Sequence, residues 1–130
     1  MKSFFFLLSL SISLFLVAER VRADELMESY VARLSATDHF NSEGDRLNSP
    51  ALIIRQDRAN FHKYHERDSE DEGDSYFSNA HNREVLQRLL ERGRTSKSVY
   101  RTIVNGTPLI KVDIYRSGGG DYINVTIISD

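Results

Sequence analysis

Asp57, His39 and His62 are the residues of this chain whose types suit acid–base work, and Glu66–Asp74 is the stretch suited to a hard cation. On a wheel of 100° per residue, Ile53, Ile54, Phe61 and Tyr64 share one stripe, and Asp57 falls in its middle. A carboxylate there must be paired, hydrogen-bonded or protonated, because burying it bare costs several kcal/mol. Arg33, Arg46 or a cluster of backbone N–H groups could satisfy it, and such a structural pair is expected ahead of general acid or base work. His39 follows Asp38, which could orient its imidazole, and Ser35 is close enough in sequence to sketch a small hydrolase using His39, His62 or Asp57. No nucleophile elbow supports that sketch.

The acidic run holds Glu66, Asp68, Glu70, Asp71, Glu72 and Asp74, relieved by Arg67. Clustered carboxylates are what calcium requires. Aligned to a calcium-loop pattern, Asp68, Glu70, Glu72 and Gly73 take positions one, three, five and six. Position twelve is then Asn79, which has no bidentate carboxylate to give. A solvated loop with loose affinity for divalent cations is the expectation.

His62 and His65 are three residues apart on an expected helix, with His39 or His81 available to complete a metal set. Arg55 and Arg58 project toward the same side, and their charge repels a divalent cation. Arg55, Arg58, His62 and His65 are therefore expected to form a basic face that makes ion pairs with the acidic loop or holds an anionic partner. Gly118-Gly119-Gly120 could cradle a phosphate, but no helix follows it, and a hairpin turn explains it. Asn105-Gly106-Thr107 and Asn124-Val125-Thr126 match the glycosylation acceptor pattern, which matters only in a eukaryotic host.

The elements that must position these residues follow from periodicity. Tyr30–Ser35 alternates loosely and reads as a strand, with a helix over 25–34 as the competitor. Residues 37–48 have loop composition. Ser49-Pro50 starts a helix that should run to about His65. A second helix is expected from Asn79 to Arg92, with Val85, Leu86, Leu89 and Leu90 on one side, a Glu84/Arg88 pair, and Gly93 as its stop. Residues 96–104 read as a helix capped by Ser96, although Asn105-Gly106 would also suit a hairpin. Ile110, Val112 and Ile114, then Ile123, Val125 and Ile127, alternate with polar residues around Ser117–Asp121, which is an antiparallel hairpin. The expected architecture is α+β: a small antiparallel sheet, made of this hairpin and an N-terminal strand, covered on one face by two or three helices.

Location is the clearest functional expectation. Lys2, the apolar stretch Phe4–Ala18 and Val21-Arg22-Ala23 follow the order of an export signal, with cleavage expected between Ala23 and Asp24. A bilayer-spanning helix needs about 20 apolar residues, and this stretch is shorter and broken by serines. Residues 24–130 would then form one small domain carrying the acidic loop at 66–74. Removing Lys2, Arg20, Arg22 and Glu19 leaves 14 basic and 18 acidic residues, a net charge of −4. That balance disfavours nucleic acid and anionic lipid as partners. There are no cysteines, so thiol chemistry, disulfides and cysteine-bound zinc are excluded.

Leu34-Ser35-Ala36, the segment Ile53–His62 and the segment Ile103–Pro108 resemble those of small exported bacterial proteins of uncharacterised function. That resemblance implies no catalytic residues and no cofactor. The expectation is a periplasmic or secreted binding module that engages another protein or an envelope component without catalysis.

Overall fold

The computed structural model describes residues 22–130, and the expected export signal lies almost wholly outside them. Three strands, β1 (Glu25–Arg33), β2 (Leu109–Arg116) and β3 (Tyr122–Ser129), form an antiparallel sheet in the order β1-β2-β3. Four helices, α1 (Pro50–His62), α2 (Ala80–Glu84), α3 (Leu86–Arg92) and α4 (Lys97–Asn105), complete an α+β fold. Short 3-10 turns at Ala36–His39 and Tyr76–Ser78 join them.

Alternation decides which sheet face is buried. Tyr30 pairs with Val112 and Ala32 with Ile110, while Val112 pairs with Val125 and Ile114 with Ile123. All of these are buried, whereas Ser29, Lys111 and Thr126 between them are exposed. The apolar side meets Ile53 and Ile54 of α1, Leu86, Leu89 and Leu90 of α3, and Ile103 of α4 in one cluster. Helices α3 and α4 lie against β3, and α1 packs on both.

The N-terminal strand forms as expected but begins at Glu25, earlier than the alternation suggested. Residues 97–105 are helical, and the Ser96 hydroxyl accepts the Val99 N–H. The expected helix over 79–92 is instead two, because Val85 (φ −92°, ψ 10°) leaves the helical region. No Glu84–Arg88 pair forms, and Glu84 faces His81. Gly93 does end α3, by close approach to the sheet: a Cβ there would sit 1.8 Å from the Ile123 carbonyl oxygen.

Helix α1 also ends sooner than expected. Lys63 caps it at the Ala59 carbonyl, and His65 adopts a left-handed conformation (φ 57°). The acidic run that follows is a largely exposed loop, as expected, but it also straps the free edge of β1, with the Asp71 and Asp74 side chains turned inward. The Glu72 N–H donates to the Val31 carbonyl at 2.8 Å, the Arg33 N–H to Asp71 at 2.8 Å, and the Ser75 N–H to Glu28 at 2.8 Å. Capping a strand edge in this way satisfies its backbone and prevents pairing with other chains.

Candidate functional site

The buried charges of α1 and the acidic strap meet in one cluster. Arg58 is fully buried, with Nε donating to Asp57 Oδ2 at 2.7 Å and Nη1 donating to Asp74 Oδ1 at 2.8 Å. Nη1 also reaches the Glu72 carbonyl at 3.1 Å. The guanidinium lies over Tyr30, 4.1 Å from the ring centroid, and 4.7 Å from that of Phe61. Asp74 receives His62 Nε2 at 2.7 Å as well as the Phe77 N–H. One arginine thus bonds two carboxylates and is covered by two aromatic rings.

The two carboxylates differ in support. Asp74 accepts from Arg58, His62 and a backbone amide. Burial pushes the Asp57 carboxyl up to about 8, against the pull of Arg58, and Asp38 nearby adds to the rise. Burial also works against the Arg58 charge, but Tyr30, Asp57 and Asp74 more than offset it, and the guanidinium stays protonated. The Tyr30 hydroxyl, buried in the same cluster, is raised well above its usual range by desolvation.

These positions correct the expected basic face. Arg55 is exposed on α1, Arg58 is in the core, His62 is turned inward onto Asp74, and His65 lies beyond the helix. Of the two roles expected for the face, Arg58 takes the ion pair with the acidic segment, and His62 hydrogen-bonds the same Asp74 side chain. Asp57 is paired, but with its neighbour Arg58. Arg33 instead forks onto Glu70, at 3.1 and 2.6 Å, and Arg46 donates to the Val104 carbonyl at 2.8 Å. The i,i+1 pairing was hidden because adjacent helical residues ordinarily point apart.

The hydrolase sketch does not assemble. His39 is buried with Nδ1 2.8 Å from the Ser35 carbonyl and Nε2 2.8 Å from the Ile103 carbonyl, tying the 3-10 turn to α4. Ser35 Oγ reaches Asp38 directly at 3.1 Å, so the imidazole does not stand between hydroxyl and carboxylate. The Asp38 carboxylate also receives the Ser35 N–H and Asn60 Nδ2, and burial raises its pKa. In the strap, Asp71 takes two backbone N–H groups and Glu70 takes Arg33. Among the described residues, no three His, Asp or Glu side chains converge as a metal-ligand group.

The accessible chemistry lies on the outer side of α1. A groove of about 450 Å³ runs between α1 and the start of α2, with Leu52, Arg55, Lys63 and Tyr64 along it and Glu84 at its side. A neighbouring depression of about 380 Å³ shares Tyr64 and Gln56 and extends to Phe40. Phe40, Leu52 and Tyr64 are three of the five exposed large apolar residues among those described. Arg55 engages no carboxylate among the described residues, and Lys63 Nζ lies 5.2 Å from the Tyr64 ring centroid. Sequence reasoning found Arg55 but missed Lys63, Tyr64 and Phe40. Tyr64 was assigned to the buried stripe, and only the early end of α1 turns it outward. No described helix is long and apolar enough to cross a membrane. Comparison with protein-family models, with curated proteins and with solved structures found no significant match.

Proposed function

We propose that this chain is an exported, non-catalytic binding module that docks an acidic, partly apolar protein segment in the groove along α1. The observation that carries this reading is the coincidence, in the groove and the depression beside it, of exposed Phe40, Leu52 and Tyr64 with the cations Arg55 and Lys63. Apolar side chains grouped beside charge are what a partner surface requires, whereas single exposed ones need no explanation. The charge favours an acidic partner, since Arg55, Lys63 and Arg83 line the groove against Glu84, with Glu66 at the depression beside it. The groove is small, which suits a weak, reversible interaction more than a permanent one.

A panel of fluorescent amphipathic peptides, graded from acidic to basic, tests the reading by anisotropy. Acidic members should bind the wild type with an affinity that falls as salt rises. Arg55→Glu with Lys63→Glu should lose that binding while the melting temperature holds. Equal binding of acidic and basic peptides, or undiminished binding by the charge-reversed variant, would refute the proposal.

A further inference from the structure

A second cavity, of about 420 Å³, opens between the end of α3 and the β2–β3 turn, lined by Arg92, Arg94 and the Ser117–Gly120 turn, with Asp24 and Tyr122 beside them. Its geometry is built by glycine. Gly93 lets the chain press against β3, the Arg94 N–H donates to Asn124 Oδ1 at 2.7 Å, and the Val125 N–H donates to Thr95 Oγ1 at 2.9 Å. The segment between the two arginines and Thr95 is thereby fastened to the strand edge. Gly120 has φ +117°, and a Cβ on it would lie 2.2 Å from Arg92 Nη1, so the guanidinium rests directly on the turn. Gly118 and Gly119 line the cavity, and a Cβ on either would meet nothing within 4 Å.

The charges around the cavity are unequally committed. Asp24 receives the Tyr122 hydroxyl at 2.7 Å, and Asp121 receives the Tyr76 hydroxyl at 3.1 Å and faces Arg116 at 3.7 Å. Neither Arg92 nor Arg94 has a carboxylate partner among the described residues. We propose that this cavity is an oxyanion site that takes a phosphate or sulfate ester between the Arg92 and Arg94 guanidiniums and the backbone of the glycine turn. Guanidinium forks match the oxygens of such groups, and successive backbone N–H groups in a turn form an anion-binding concavity. The site is independent of the α1 groove.

Amide spectra of the full chain, titrated with inorganic phosphate against chloride of equal ionic strength, test the proposal. Gly118 and Gly119 should shift saturably with phosphate alone, and Arg92→Gln with Arg94→Gln should weaken the affinity by about tenfold or more while leaving the remaining peaks in place. No saturable shift, the same shift with chloride, or wild-type affinity in the double variant would overturn it. Sedimentation with phosphatidic acid vesicles, against phosphatidylcholine alone, then separates the sources. Capture that depends on both arginines identifies a lipid headgroup, and absence of capture alongside a positive titration identifies a soluble ester.

Discussion

Removing the Arg58 guanidinium would leave the buried Asp74 side chain with His62 and one amide to hold it. Breaking a buried pair from one side costs about 3–5 kcal/mol, so Arg58→Met should lower unfolding stability by that order, read by urea titration. Loss of less than about 1 kcal/mol would show that the cluster is not held as described. Asp57 gives a second prediction, of sign as well as size. Its folded pKa, near 8, lies above that of the unfolded chain, so the fold keeps a proton the unfolded state releases. That contribution is complete on the acid side and is lost as pH rises to about 8. The stability of the wild type relative to Asp57→Asn should therefore fall between about pH 4 and about pH 8 and level off above, and a constant difference would contradict the protonated carboxyl. Sequence periodicity placed Asp57 in the apolar stripe and required a partner for it. It pointed to Arg33, Arg46 or backbone N–H groups and not to Arg58, because adjacent helical residues ordinarily point apart.

At the scale of elements, composition reads the strap at 66–74 only in part: most of it is exposed loop, but two of its carboxylates are not. Six acidic residues in nine read as a solvated face, yet Asp71 is only 4% exposed and receives the Arg33 and Asp68 amides. Asp71→Ala should loosen the β1 edge, seen as faster amide exchange at Arg33 and Asp68, while the β2–β3 pairing keeps its protection. Uniform acceleration across the sheet would show that the strap is not a local unit. Gly93→Ala is the sharper case, since its Cβ would collide with the Ile123 carbonyl and force α3 away from β3. A loss of about 3 kcal/mol is expected from such overpacking, and a loss within about 0.5 kcal/mol would mean the approach is looser than described. The three strands and α4 were readable because alternation and a capping serine are local signals. The split of the second helix at Val85 and the early end of α1 at Lys63 were not, because packing against the sheet and strap sets both.

For the whole molecule, the basic residues in and just after α1 divide by the surface each one meets. Arg58 and His62 face the strap and close the core, whereas Arg55 and Lys63 face solvent along the apolar groove. That division could not be read from a helical wheel, which placed Arg55, Arg58 and both histidines together. It separates two properties that mutation should uncouple, stability and binding. The most direct test measures melting temperature and acidic-peptide affinity side by side for Arg58→Met and for Arg55→Glu with Lys63→Glu. A lowered melting temperature is expected only in the first, and lost affinity at an unchanged melting temperature in the second. A charge-reversed groove that still binds, or an Arg58→Met protein as stable as the wild type, would contradict that division.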